Sequence, residues 1–332
     1  MGEVEGHKKE LKYLTGANFK ISAYMQNLMC YTGTELVFTD ASVMIEKMKG
    51  VSVTAKQIER VCHCYGERIE ESQQQAIEAG CVQSRILGTE EKEVPHYAML
   101  DGAMLLTREE KWKEIKLGRI FKAQDNITIN HRRNEIVHSQ YVAHLGNHTD
   151  FLEKFEYALE GIKKLTFVAD GAPWIWNWVE SSYPNSTQIL DFFHAKEHLH
   201  GFADVYFRNK EEKENWTNQQ SLLLLNDRVE QVIKNIEELP KIKKKSEEKK
   251  RKILIKYYQT NRKRMMYKTF KNNGLMIGSG PIEAAHRNVI QQRLKRSGQR
   301  WTRKGLQQVA NLRAELKSNN WNKVLDFITL AA

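Results

Sequence analysis

The run Leu165-Thr-Phe-Val-Ala169 is apolar and β-branched, and it stops against Asp170-Gly-Ala-Pro-Trp, where a turn hands over to a Trp-rich helical stretch ending at Trp178. A chain that ends an apolar strand on an acid leaves that acid at a sheet edge. The same figure occurs once upstream, as Tyr97-Ala-Met-Leu-Asp101-Gly-Ala. If the two strands are neighbours in one sheet, Asp101 and Asp170 converge at one end of it, and binding a divalent cation through oxygen ligands requires such a pair. A third acid then has to come from elsewhere in the chain.

Composition narrows the class. At 332 residues with 41% apolar side chains and a mean hydropathy of −0.61, the chain reads as soluble and globular, with room for two or three domains. It contains no run of about 18 apolar residues and no apolar segment behind Met1, which argues against a span or a secretory signal and for a cytoplasmic protein. The four cysteines, Cys30, Cys62, Cys64 and Cys81, read as reduced thiols. Cys62-His63-Cys64 lacks both the spacing and the second cysteine pair of a zinc site.

With 52 Lys and Arg against 41 Asp and Glu the formal net charge is +11, which favours a polyanionic partner such as nucleic acid. The cations cluster at Lys241 to Lys252, at Arg262 to Lys271, and through Arg287, Arg293, Lys295, Arg296, Arg300 and Arg303. The first cluster reads equally as a solvated helix face, because Glu247 and Glu248 dilute it.

Taken in order, residues 18 to 85 read as helices: Ile21 to Tyr31, closed near Gly33; Asp40 to Gly50, with Asp40 as N-cap and Gly50 as C-terminal stop; and a third opened by Thr54 and Gln57 at capping-box spacing. Short helices around a Gly resemble a helix-turn-helix, whose second helix presents Lys56, Gln57, Glu59 and Arg60 to a major groove. The competing reading is a small bundle that touches no DNA.

From Val94 the period changes. His96 to Asp101, Trp112 to Phe121 and Ile136 to Val142 read as a β-meander, Asp150 to Leu159 as a helix, Leu165 to Ala169 as a fourth strand and Gln188 to Phe193 as a fifth, running into a helix near Ala195. This is the element order of an RNase H-like mixed sheet, in which the first and fourth strands lie side by side. Residues 201–272 read as a helical insertion, with long helices at Leu222 to Leu239 and Ser246 to Arg264 parted by Pro240. The chain returns through Gly278-Ser-Gly-Pro-Ile-Glu283, a turn followed by a helix start. An acid in a first helical turn complements the helix dipole; here the Gly-rich turn also permits close approach, and Arg287 and Arg293 on the same helix suit a phosphate backbone beside an ion.

These segments carry a resemblance. Asp101-Gly with Trp112 to Gly118, Asp170-Gly-Ala-Pro-Trp-Ile-Trp, Leu190-Asp-Phe-Phe-His-Ala-Lys-Glu-His-Leu199, and Ile277-Gly-Ser-Gly-Pro-Ile-Glu283 through Gln292 to Trp301 resemble the DDE-type transposases of bacterial insertion sequences, of the ISKra kind, over about Tyr24 to Trp321. The resemblance implies an N-terminal helical DNA-binding region (1–90), an RNase H-like catalytic core (91–200 and 273–332) and a helical insertion (201–272). By motif it implies that Asp101, Asp170 and Glu283 form the acidic triad, and that Asp191 and His194 match the Asp-x-x-His pair after the fifth strand. Longer relatives carry more sequence before the helix-turn-helix-like region, so DNA-end recognition here is expected to be reduced.

The implied chemistry uses two Mg²⁺ ions, replaceable by Mn²⁺, about 3.5 to 4 Å apart, for in-line displacement at a phosphodiester: first by water, then by the freed 3′-hydroxyl on target DNA. The expected partner is double-stranded DNA, bound by an oligomer of this chain. Asp191 and His194 read as a structural pair before they read as a ligand and a proton donor. Trp174 and Trp178 share a helix face and read as core, whereas Trp301, beside Arg296, Arg300 and Lys295, is the better candidate for stacking on a base. The alternatives are a nuclease of the same fold that cuts without joining, and a transposase-derived DNA-binding protein without activity.

Overall fold

The computed structural model describes residues 19–79, 93–130, 133–240 and 244–331; Cys81 and Lys241 lie outside them. In chain order the elements begin with helices α1 (Ala23–Glu35), α2 (Phe38–Lys49) and α3 (Ala55–Glu78). Strands β1 (His96–Thr107), β2 (Lys111–Lys122), β3 (Asn126–Asn130), β4 (Arg133–Ile136) and β5 (Gln140–Leu145) follow. Next come α4 (His148–Leu159), β6 (Leu165–Ala169), α5 (Pro173–Ser182), β7 (Thr187–Leu190) and α6 (Phe192–Tyr206). Helices α7 (Lys210–Leu225), α8 (Val229–Glu238), α9 (Lys245–Asn261) and α10 (Tyr267–Asn272) lead to α11 (Gly280–Ala285), a π-helical turn (His286–Gln291), α12 (Gln292–Leu294), α13 (Arg303–Lys317) and α14 (Trp321–Ala331). No helix among the described residues is long and apolar enough to cross a membrane.

The protein is mixed α/β, with five strands in one mixed sheet in the order β5-β2-β1-β6-β7 and β3-β4 as a separate hairpin. The chain divides into two compact units: the described residues up to Val94 with Gly102–Lys163 and everything from Ile282 onward, and Pro95–Asp101 with Lys164–Pro281.

In the first unit the apolar faces of α1, α2 and α3 close on one another and on Leu312, Val324 and Ile328, with Ile58, Val61, Tyr65 and Ile69 fully buried along α3. Thr54 and Gln57 form the expected capping box, which satisfies donors at the start of α3 that no helical carbonyl reaches. Gly50 ends α2 in the left-handed region at φ 66°, as expected. Two boundaries differ. The α2 N-cap is Val37, with Asp40 inside the first turn, and α1 runs through Gly33 to Glu35. Gly33 is a contact point and not a stop, since a Cβ there would meet Cys62 Sγ at 2.6 Å and Ile58 Cγ2 at 2.7 Å across the α1–α3 contact. Cys30, Cys62 and Cys64 are free thiols, the first two buried.

In the second unit β6 pairs in parallel with the first half of β1, His96 opposite Leu165 through Met99 opposite Val168, and with β7 on its other side, Thr166 opposite Thr187 through Ala169 opposite Leu190. Every residue of β6 is buried, which explains its unbroken apolar sequence.

The strands depart from expectation in three places. β1 does not stop at Asp101 but continues to Thr107, with Leu105 and Thr107 buried. The strand that pairs antiparallel with β2 is Gln140–Leu145; Ile136 closes the separate hairpin instead. β7 ends at Leu190, because Asp191 caps α6, which begins at Phe192 and not near Ala195. The stretch Leu222 to Leu239 is likewise two helices. Asp227, at φ 62°, breaks it, and its carboxylate accepts from Lys268 N at 2.7 Å, Thr269 N at 3.1 Å and Thr269 Oγ1 at 2.7 Å at the start of α10.

Candidate functional site

The parallel pairing of β1 with β6 sets the first pair of acids. The pairing runs from His96 opposite Leu165 to Met99 opposite Val168; Asp101 follows two residues later within β1, and Asp170 two residues later, just past the end of β6. Asp170 lies just past the end of β6, half-buried, and its Oδ1 accepts from Ala172 N at 3.0 Å, which fixes the turn into α5. Its backbone carbonyl accepts from Trp176 Nε1 at 2.6 Å. Trp176 and Trp178 are buried while Trp174 is half-buried, so the Trp-rich helix supplies core and holds the Asp170 turn. Trp178 packs edge-on against Phe167 at 5.5 Å, and the Arg264 guanidinium lies 4.4 Å from the centre of a Trp176 ring.

Asp191 stands one residue beyond β7 and is fully buried. Its Oδ1 accepts from Phe193 N at 2.5 Å and His194 N at 3.1 Å, and its Oδ2 from Ser279 N at 2.7 Å and from the Ser279 hydroxyl. A carboxylate offers about four lone-pair sites, and all four are taken. Sequence reasoning missed Ser279, whose readable signal was its place in the Gly-Ser-Gly turn. The next residue, Gly280, begins α11, so Glu283 is carried in the first turn of a helix that starts beside the Asp191 carboxylate. The chain itself thereby sets its neighbourhood: Asp191, His194 and Glu283 each offer one ligand atom, and these atoms lie within 4.8 Å of one another. Asp191 is buried, His194 half-buried and Glu283 exposed; groups of these types can hold a divalent cation, but the Asp191 oxygens are already engaged by four N–H and O–H donors. Asp101 and Asp170 stand outside that group.

Tyr257, on α9, was also missed. Its ring lies where a Cβ on residue 171 would stand, so the glycine after Asp170 is what lets the ring approach. The Tyr257 hydroxyl is buried with no hydrogen-bond partner, and burial, with the charges of Asp170 and Asp191 behind it, pushes its pKa well above the ordinary tyrosine value. It is therefore a neutral donor beside two carboxylates. The His198 ring packs on Tyr257 at 4.3 Å, and burial lowers its pKa, with His194 adding to the shift.

The basic residues fall into two sets. Arg60, Arg287, Lys295, Arg296 and Arg300 are exposed, Arg296 facing Asp40 at 3.9 Å. Lys56 is exposed and pairs with Glu59 at 2.7 Å, and Gln57 is occupied in the capping box. Arg293 and Trp301 correct the expectation of a solvent-facing DNA contact. Arg293 is 0% exposed, its guanidinium 4.7 Å from the Phe38 ring centre and 5.0 Å from the Trp301 ring centre, where the two rings meet edge-on, and Trp301 is 7% exposed with Nε1 donating to Leu294 O at 3.0 Å. Two aromatic faces from distant parts of the chain draw this cation inward.

Fold and site together define a mixed α/β protein with acids at or near the ends of its parallel strands. A family model matches residues 35–325, and the chain belongs to the uncharacterised protein family UPF0236. No curated protein matches its sequence.

Proposed function

We propose that this protein is a metal-dependent DNA transposase with an RNase H-like core, cutting and rejoining phosphodiesters at the ends of its own element. The observation that supports the reading is the side-by-side parallel pairing of β1 and β6, with Asp101 and Asp170 each two residues beyond the Met99–Val168 pair. Oxygen donors brought to the ends of neighbouring parallel strands are the kind of ligand a divalent cation takes.

In this reading Asp101, Asp170 and Glu283 would hold the ions, and an all-oxygen donor set suits Mg²⁺ or Mn²⁺. Bound there, the ions supply Lewis-acid activation of the attacking and leaving oxygens. Asp191, with its acceptors filled, positions the others: it anchors the turn before α11 and the first turn of α6, and so aims Glu283 and His194. The Tyr257 hydroxyl, kept protonated by its surroundings, donates to a non-bridging phosphate oxygen as charge builds there. Each acid would serve as a ligand and none as a general base, and displacement by water or a 3′-hydroxyl needs no covalent protein intermediate.

The test is incubation of the protein with a duplex bearing the element's terminal repeats, with Mg²⁺ and with Ca²⁺. Joined products support a transposase. Cutting without joining identifies a nuclease, binding without cutting a regulator, and wild-type cleavage by Asp170→Asn refutes the assignment of the ligands.

A further inference from the structure

The first unit contains a cavity of about 640 Å³, and four residues read from sequence as separate DNA contacts, Lys56, Arg293, Arg300 and Trp301, share its wall with Phe38 and His63. Arg293 is its unusual member. It is 0% exposed, its Nε donates to Gly33 O at 3.1 Å, and both Nη atoms are buried without a hydrogen-bond partner. Four N–H donors of this cation thus lack an acceptor, and contact with the Phe38 and Trp301 rings does not supply one.

The same unit contains a control. Arg313 is equally buried, yet its Nε donates to Val289 O, its Nη1 to Thr34 O at 2.9 Å and Glu35 Oε2 at 3.2 Å, and its Nη2 to Asn288 O. A guanidinium serving packing alone is met by carbonyls and a carboxylate. Arg293 faces a cavity instead, and so does His63, whose Nε2 is also buried and unpartnered. Lys56, Arg108 and Arg300 add positive charge around it, and the one acid on the wall, Glu59, is engaged by Lys56 at 2.7 Å.

We propose that this cavity binds the phosphate of a nucleotide, with the paired Nη groups of Arg293 forking onto two phosphate oxygens and the Phe38 and Trp301 side receiving the flat, apolar part. A fork of four donors matches a phosphate in geometry and charge. The volume falls within the roughly 300 to 1,000 Å³ of ordinary small-ligand sites. The anion site stands on Arg293 and the cations that share its cavity; its assignment to a nucleotide rests on the DNA-acting function proposed above.

Binding is measured on the full-length protein in EDTA, where strand cleavage plays no part, by tryptophan fluorescence and titration calorimetry. The probes are inorganic phosphate, adenosine monophosphate, adenosine, and a single-stranded decamer with and without a 5′-phosphate. Phosphate-bearing probes are expected to bind at least about tenfold more tightly than their phosphate-free counterparts, a difference of about 1.4 kcal/mol. Tighter binding of the phosphorylated decamer than of the mononucleotide assigns the site to a DNA strand, and the reverse assigns it to a free nucleotide. Arg293→Lys, which keeps the charge but loses the fork, is expected to abolish the preference. Should that variant fail to fold, the exposed Lys56→Ala and Arg300→Ala variants read the same property, each weakening phosphate-bearing probes severalfold at unchanged melting temperature.

Equal affinity for phosphorylated and unphosphorylated probes, or no saturable binding up to about 10 mM, overturns the proposal and leaves a water-filled packing void. Loss of binding with metal-dependent cleavage intact removes this site alone; the converse removes the catalytic reading alone.

Discussion

At the end of β7 the buried carboxylate of Asp191 accepts four hydrogen bonds, two from the first turn of α6 and two from Ser279. In the helical unit the equally buried guanidinium of Arg293 gives a single hydrogen bond, to Gly33 O. Burial is the same and satisfaction is opposite. A fully answered buried charge is part of the scaffold, because removing it strands its partners; an unanswered one is tolerated where something outside the chain completes it. By this measure Asp191 organises its surroundings, while Asp170, with one hydrogen bond from Ala172 N at 3.0 Å, and Tyr257, with an idle hydroxyl, keep capacity for a ligand.

The largest effect that would break this contrast is at Asp170. Asp170→Asn is expected to lower cleavage by about a thousandfold or more, some 4 kcal/mol in the barrier, with the denaturation midpoint little changed. Full activity would place Asp170 among the scaffold groups. Asp191→Ala should do the opposite job: it removes a cap and leaves Ser279 N unanswered, so a loss of about 3 kcal/mol in stability is expected by chemical denaturation. An unfolding curve that does not move would sink the division of roles.

Acid tests a third kind of buried group. His144 is held neutral, its pKa pulled down to about 4 by burial and by Lys154, whose Nζ lies 3.4 Å from Nδ1, against the opposing pull of Asp150 and Glu70. Because the folded value lies below the ordinary 6.5, the unfolded chain binds the extra proton first. Stability from this residue is complete above about pH 6.5 and falls as pH drops toward 4, by up to about 1.4 kcal/mol per pH unit. Urea midpoints across that window for the wild type and His144→Gln check it: the variant's slope should be shallower. The smallest effect is at Tyr257. Tyr257→Phe removes an unpartnered buried hydroxyl, so stability should hold or rise by about 1 kcal/mol while cleavage falls about tenfold or more. A fall in stability instead would mean that the hydroxyl already has a partner.

Much of the fold was legible because local signals and burial agree. β6 was readable to the residue, since a strand buried on both faces needs an uninterrupted apolar run. Thr54 with Gln57, and Gly50, mark helix ends by chemistry that acts within a few residues. The end of β1 was not legible: Gly102 and Ala103 look like a turn, and only pairing with β2 keeps the chain extended to Thr107. β7 was read too long because Phe192 and Phe193 continue the apolar pattern, whereas the Asp191 side chain has already begun a helix. The break at Asp227 was readable in principle, as Asn226-Asp227 is a turn pair inside an apolar repeat. In the site, acids at strand ends were visible as such. The burial of Arg293 was not, because nothing near it in sequence announces Phe38 as the ring it lies against.

The bond from Ser279 to Asp191 spans 88 residues, and nearly everything between them is the helical excursion after β7. It works as a clasp, pinning the exit of a long detour to its entrance with one hydroxyl and one amide. Closing a chain loop costs only logarithmically more as it lengthens, roughly 0.6 kcal/mol per doubling. Helices inside the detour can therefore be added, trimmed or exchanged with little effect on where the strand end and the returning helix meet, so long as the clasp is kept.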